Sequence, residues 1–379
     1  MTDALPLAGG CATPPSREFD VALLDLDGVV YVGPDAVHGV PAALAATRAD
    51  GMALGFVTNN AARTPEEVAE HLTELGVPAA PADVITSSQA AATVVAELMG
   101  AGARVLPVGG AGVAAALRAA GLTVVERAED QPVAVVQGYG REVGWSQLAE
   151  AVVAVRAGAR HVATNTDATI PSLRGPLPGN GAMVGVVSAI TGQRPLVTGK
   201  PDPAMHAECV RRTGARRPLV VGDRLDTDIE GARRAGAASL LVLTGVTDPA
   251  TLLAAPPEHR PDLLSPDAAG LLVPHPTVHP ESGGARCGKW VVQVAEGEDV
   301  LLLRTLDGAD DGSTVGSSTR DRSENDGAGD GLDGLRALCV AHWSRHIEEG
   351  APVRVRPADD QARTVLEEWR LTPPRSGEG

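Results

Sequence analysis

The sequence predicts an α/β fold built on parallel sheets, and two features predict it. From Phe19 to about Leu272, short Val/Leu-rich runs alternate with longer Ala-rich segments of helical period. The short runs are continuously apolar rather than alternating, as strands covered on both faces are. At 379 residues with 44% apolar content, the chain has room for two or three such units with real cores.

In chain order, strands are predicted at Val21–Leu24, Met52–Val57, Arg104–Val108, Thr123–Val125, Val133–Gln137, His161–Ala163, Pro218–Val221 and Ser239–Leu243. Helices are predicted at Pro65–Leu75, Gln89–Met99, Val113–Ala120, Gln147–Ala157, Ala182–Ile190, Pro203–Thr213 and Thr227–Ala235. The Pro-rich stretch 273–284 breaks the pattern and reads as a linker. Beyond it, over 285–379, a strand pair or long strand (Trp290–Leu303), a helix (Leu335–Glu349), a strand (Val353–Arg356) and a helix (Gln361–Trp369) predict a small α+β domain. Within it, 307–334 is rich in Asp, Gly and Ser and reads as a disordered acidic loop.

Composition excludes several functions. Aromatics are 2%, too few for a base-stacking platform, and the net charge of −16 opposes nucleic acid or anionic membrane as partner. Cys11, Cys209, Cys287 and Cys339 are far apart and form no metal or disulfide pattern. Leu7–Cys11 resembles a lipoprotein cleavage site only faintly, because the preceding apolar run is short and no cation leads it; an untethered N-terminal tail is expected. The dispersed cysteines fit a reducing cytoplasm, where the protein is expected, and no uncharged apolar run is long enough to span a membrane.

In open parallel sheets, ligands sit outside the carboxyl ends of the strands. Three strand ends there are polar: Asp25-Leu26-Asp27-Gly28, Thr58-Asn59-Asn60 and Asp223-Arg224-Leu225-Asp226-Thr227-Asp228. Carboxylates converging in one crevice repel one another unless a cation neutralises them, and hard oxygen ligands of this kind suit Mg²⁺ beside a phosphate. In Asp-x-Asp-Gly, one carboxylate can attack phosphorus while the other moves protons, once the glycine lets the chain turn. Of 32 basic residues only Lys200 and Lys289 are lysine. Lys200, in Thr198-Gly199-Lys200-Pro201, marks a site that needs a compact point charge.

These four motifs, in this order, resemble those of the haloacid dehalogenase (HAD) superfamily. Their wording is similar to the subclass holding NagD-type nucleotidases and p-nitrophenyl and pyridoxal phosphate phosphatases. The resemblance implies a Rossmann-like core over 19–87 and 193–272 with an α/β cap inserted at 88–192. It also implies Asp25 as nucleophile, Asp27 as general acid/base, and Thr58, Asn59 and Lys200 as phosphate-binding residues. Mg²⁺ would be held by Asp25, the Asp27 carbonyl and Asp223, with Asp228 in support. In the cap, Asn165 and Asp167 match the Asn-x-Asp loop that sets specificity, although an ordinary Asx turn explains them as well. A homodimer through the cap is a further expectation.

The expected activity is hydrolysis of a small phosphorylated metabolite, with glycerol 3-phosphate or a similar polyol or sugar phosphate favoured by the aromatic-poor cap. Pyrimidine nucleotide and pyridoxal phosphate are the alternatives. Two rival signals remain. Gly110-Ala111-Gly112-Val113-Ala114-Ala115 is a passable dinucleotide fingerprint, a remote option for NAD binding. The C-terminal domain is a second, as a binding or regulatory module; high-GC bacterial phosphatases of this subclass carry a domain there similar to GNAT acyltransferases. Its helix lacks a pyrophosphate loop, so a degenerate domain is expected, and His342 and His346 read as a plain helix face.

Overall fold

The computed structural model describes residues 5–170, 174–295, 300–306 and 330–371. Six parallel strands form the core sheet, in the order Leu263–Ser265, Ala238–Val242, Pro218–Gly222, Val21–Asp25, Ala53–Thr58, Val84–Thr86. Val21–Leu24 is buried throughout, as a central strand covered on both faces requires. The first strand lies in the middle, and the chain winds away from it in both directions. That arrangement makes a switch point at its carboxyl end.

A second parallel sheet has the order Leu196–Val197, Arg160–Ala163, Ala134–Gln137, Arg104–Val108, Thr123–Val124. Its edge strand Leu196–Val197 lies beyond Gly192, where the inserted segment was expected to end. The helix Ser87–Met99 joins the two sheets and packs on both Ala111–Ala119 and Pro203–Thr213. It starts with a reciprocal cap, in which Thr86 N donates to Gln89 Oε1 at 2.9 Å and Gln89 N to Thr86 Oγ1 at 3.3 Å.

The third sheet runs His279–Glu281, Gly284–Cys287, Trp290–Val294, Val300–Thr305, Arg354–Pro357, antiparallel except for the last pair. The helix Asp333–Trp343 lies across it, with every residue from Gly334 to Trp343 buried. Its other face packs on the core, where Leu241, Leu252, Leu253 and Leu264 join Leu335, Leu338 and Trp343 in one cluster.

Several expectations need correction. The stretch 273–284 is not all linker, because His279–Glu281 pairs with the next strand. The N-terminal segment is not untethered: Leu7 is 3% exposed, and Cys11 exchanges backbone hydrogen bonds with His275 at 2.9 and 2.8 Å. Of the expected acidic loop, 307–329 lies outside the described residues, and Asp330–Gly334 leads into the helix Asp333–Trp343. Arg336 holds it there, donating to Asp330 Oδ1 at 2.7 Å and Asp333 Oδ1 at 2.9 Å. The helix expected over Thr227–Ala235 begins as a π-helical turn, Leu225–Ile229, before Glu230–Ala235. The helix expected to reach Glu349 stops at Trp343, and the following carbonyls of His346 and Glu349 bond Arg260 instead. The helix Val40–Ala49 and the strands Val84–Thr86 and Leu263–Ser265 were not anticipated.

Candidate active site

Asp25 ends the central strand, directly opposite Val57, so Thr58 leaves its own strand one residue further along. On the other side, Leu24 faces Val221, which sets Gly222 and Asp223 at the same level. Register alone therefore gathers Asp25, Thr58 and Asp223 at the carboxyl end of the sheet.

Gly28 then turns the first loop. Its φ is +86°, and a Cβ there would come within 2.5 Å of Asp223 Oδ2. Only glycine lets this loop lie against that carboxylate. Asp27, one residue earlier, is exposed to the crevice.

Lys200 enters from the far side. Its Nζ is 2.7 Å from both Asp25 Oδ1 and Asp228 Oδ1. Burial alone would depress the ammonium, but the charges of Asp228 and Asp25 reverse this and hold it protonated. Asp228 is also fixed at its other oxygen, by Arg224 N at 3.2 Å. Asp223 accepts a hydrogen bond from Val246 N on Oδ2 at 2.7 Å, and its Oδ1 is buried without a partner. Burial, then the charges of Asp25 and Asp228, push the Asp223 carboxyl up to about 7. Asp228 is raised by the same burial, against the pull of Lys200. Desolvation also raises Asp27, partly offset by Lys200 and Arg63.

Three carboxylates thus share one ammonium. Asp25, Asp223 and Asp228 each bring an oxygen to within 4.8 Å of the others, a potential metal-holding group among the described residues. The unpartnered Asp223 Oδ1 and the excess negative charge fit a hard divalent cation.

Asn59, expected at the phosphate, has its side chain occupied elsewhere. Its Oδ1 accepts from Lys200 N at 2.8 Å and its Nδ2 donates to Lys200 O at 3.1 Å, so it braces the lysine loop. Asn165 is likewise a brace: its Nδ2 donates to Asn59 O at 2.7 Å, while Asp167 N donates to its Oδ1 at 3.2 Å. Asp167 also reaches the core, its carboxylate 3.4 Å from Asn59 Nδ2 and 3.9 Å from Arg224 Nη1. Thr58 is 4% exposed, and its Oγ1 accepts from Asn60 N at 3.0 Å.

The loop Thr244–Thr247 went unnoticed in the sequence. Thr247 Oγ1 donates to Asp223 O at 2.6 Å and Thr244 Oγ1 to Gly28 O at 2.5 Å, while a Cβ on Gly245 would lie 1.9 Å from Asp223 Oδ2. The signal was available, since this loop also follows an apolar strand of the same sheet.

The dinucleotide signal loses its physical basis. A Cβ on Gly112 would lie 2.3 Å from Arg63 O and 2.6 Å from Ala61 O, so these glycines admit the Asn60–Arg63 backbone rather than a pyrophosphate. At the start of the Asp333–Trp343 helix, Asp330 and Asp333 pair with Arg336, where a coenzyme pyrophosphate would meet like charge. The rings of His342 and His346 lie 4.6 Å apart and tilted by 43°, and His342 Nε2 lies 3.0 Å from Ala351 O.

A parallel-sheet switch point carrying this carboxylate–lysine cluster defines a hydrolase of the HAD type, and the chain belongs to the haloacid dehalogenase-like hydrolases. A model of that family matches residues 22–123, a second HAD-hydrolase-like model matches 197–271, and a GCN5-related N-acetyltransferase-like domain matches 287–371. The chain is 41% identical over 366 residues to a D-glycerol 3-phosphate phosphatase of Mycobacterium tuberculosis, covering 94% of this chain and 95% of that one. It is 38% identical over 233 residues to an acid sugar phosphatase of Staphylococcus aureus, covering 61% and 89%. The crystal structure of the M. tuberculosis glycerol phosphate phosphatase in complex with magnesium superposes with a TM-score of 0.80 at 40% identity, covering 95% of this chain and 99% of that one. Among the described residues, no helix is long and apolar enough to cross a membrane.

Proposed function

We propose that this protein is a Mg²⁺-dependent phosphomonoesterase acting through an aspartyl-phosphate, with glycerol 3-phosphate or a similar small polyol or sugar phosphate as substrate. The observation that carries the reading is Lys200 Nζ, at 2.7 Å from both Asp25 and Asp228, beside the unpartnered Asp223 Oδ1. The activities named for the two relatives support the substrate class.

An oxygen of Asp25 attacks phosphorus and the bond to the substrate oxygen breaks. Asp27, whose carboxyl is held above its ordinary range, gives its proton to that leaving oxygen. Asp27 then takes a proton from water as the water attacks the acyl-phosphate, releasing inorganic phosphate and restoring Asp25. Lys200 and the Thr58 hydroxyl stabilise charge on the transferring oxygens, and Asn59 keeps the lysine backbone in place. Mg²⁺, held by Asp25 and Asp223 with Asp228 behind them, would supply charge neutralisation at the phosphoryl group. Asp167, facing Arg224 across the crevice, is the cap residue best placed to influence the leaving group.

Phosphate release from glycerol 3-phosphate, sugar phosphates, a pyrimidine nucleotide and pyridoxal phosphate tests the reading. Glycerol 3-phosphate should give the highest kcat/KM, with EDTA abolishing it and Asp25→Asn lowering kcat by at least about a thousandfold. Full activity in Asp25→Asn would overturn the mechanism; a nucleotide or pyridoxal phosphate ranked first would overturn the substrate.

A further inference from the structure

The Asp333–Trp343 helix belongs to the third sheet, yet its contacts lead back to the metal carboxylates. Asp223 is clasped from above by the loop Thr244–Thr247. Val246 N donates to its Oδ2 at 2.7 Å, and Thr247 donates to its carbonyl from both N (3.2 Å) and Oγ1 (2.6 Å). The next residue, Asp248, caps the helix Pro249–Leu253 by accepting from Thr251 N at 2.7 Å. A helix of five residues cannot hold itself, so its position depends on what packs against it.

What packs against it is the C-terminal domain. Trp343, fully buried, donates from Nε1 to Leu253 O at 3.1 Å. Arg260 stacks over the Trp343 ring at 5.3 Å and ties Ala255 O (3.0 Å) to His346 O (2.6 Å) and Glu349 O (3.0 Å). Gly350 approaches so closely that a Cβ there would lie 2.6 Å from Ala254 O. Leu225 and Ile229, from the π-turn that carries Asp228, lie in the same apolar cluster as Leu252, Leu253 and Trp343. The turn that presents Asp228 and the helix that follows the clasp on Asp223 therefore rest on a body containing this domain.

We propose that the C-terminal domain is a working part of the hydrolase site, and that Trp343 is a positioning residue for Asp223, acting through the helix Pro249–Leu253 and the Thr244–Thr247 loop. The inference rests on the metal-holding role given above to Asp25, Asp223 and Asp228. The domain's contribution is to hold a carboxylate in place, with no acyl transfer and no ligand of its own required.

The test is Mn²⁺ binding to the full-length protein without substrate, followed by the loss of the free-ion electron paramagnetic resonance signal. Trp343→Phe keeps an aromatic ring and drops the N–H donor. It should weaken Mn²⁺ about tenfold, the lower end of what removing a ligand's supporting partner costs. At saturating Mg²⁺, KM for the phosphomonoester should stay at the wild-type value. Arg260→Gln loosens the same clamp without emptying the pocket around the indole, and should weaken Mn²⁺ in the same direction; it decides the matter if Trp343→Phe fails to fold. Wild-type Mn²⁺ affinity in the folded variants, even with a lowered melting temperature, would overturn the proposal. If the wild-type protein binds Mn²⁺ but hydrolyses no phosphomonoester, the proposed activity falls, while the ratio of Mn²⁺ affinities still judges the role of Trp343.

Discussion

For single residues, the site is a problem of charge. Asp25, Asp223 and Asp228 are pressed together with one ammonium between two of them, and Asp223 is left with the least compensation. Its carboxyl sits at about 7 in the fold against 3.8 in an ordinary environment. Between those values the folded chain holds a proton that the unfolded chain has lost. Stability from this group is therefore full below pH 3.8 and declines as pH rises through about 7. For metal-free protein, the melting temperature should fall between about pH 5 and about pH 8. Asp223→Asn should flatten that slope, and Mg²⁺ should restore wild-type stability at the upper pH without helping the variant. Melting curves with and without Mg²⁺ at both pH values check this; equal slopes in the two proteins would show that Asp223 is not the group responsible. The carboxylates and Lys200 were legible in the sequence because each follows an apolar strand or carries a rare residue type. Thr244–Thr247 follows a strand of the same sheet, but its work is done by two backbone N–H groups, two hydroxyls and the missing side chain of Gly245. None of those stands out in a sequence as a carboxylate does. Asn59 and Asn165 stood out by type and position, yet their amides bond backbone, and Asn59 also reaches the Asp167 carboxylate at 3.4 Å.

Among the elements, close approach of backbones decides how the two parallel sheets meet. The helix Ala111–Ala119 begins against the loop that follows Thr58, with Gly112 N donating to Ala62 O at 3.0 Å. A glycine pair at a strand-to-helix turn reads in sequence as a nucleotide fingerprint, because pyrophosphate binding and backbone packing both require a missing side chain. Only the partner distinguishes them, and here the partner is the Ala61–Arg63 backbone. Gly112→Ala would place a methyl 2.3 Å from Arg63 O and 2.6 Å from Ala61 O, with backbone on both sides unable to yield cheaply. The cap should tilt away, weakening the 3.4 Å contact of Asp167 with Asn59. The expected result is a kcat/KM for the phosphomonoester at least about tenfold lower. Mn²⁺ affinity should stay unchanged, because all three metal carboxylates belong to the core and none to the cap. Loss of metal binding in this variant would instead mean that the cap shapes the metal site. Most of the longer strands and helices were legible element by element, the ten-residue helix Val40–Ala49 being an exception. The two- and three-residue strands Leu196–Val197, Val84–Thr86 and Leu263–Ser265 are too short to carry a pattern and owe their pairing to neighbours.

For the whole molecule, the surface between the core and the C-terminal domain is built like an interior. Leu241, Leu252, Leu253 and Leu264 of the core are at most 1% exposed, buried with Leu335, Leu338 and Trp343 from the helix that covers them. Leu7 enters the same cluster from the N-terminal end, and Cys11 is paired to His275, so both ends of the described chain meet here. Arg336 adds a polar tie, 2.5 Å from Leu264 O at the edge of the core sheet while neutralised by Asp330 and Asp333. A domain attached by a tether would leave apolar residues on neither side of the junction, and inter-domain contacts of that kind are more polar than this one. Termination after Pro274 should therefore expose a contiguous apolar face on the core and free the helix Pro249–Leu253 from its cover. The shortened protein should aggregate or bind a hydrophobic dye, and any soluble fraction should need far more Mg²⁺ for phosphate release than the full chain. Dye binding, size exclusion and a Mg²⁺ titration of activity measure the three effects. A monodisperse truncated protein with full-length kinetics would mean that the apolar face can close by itself and that the C-terminal domain is a separate module.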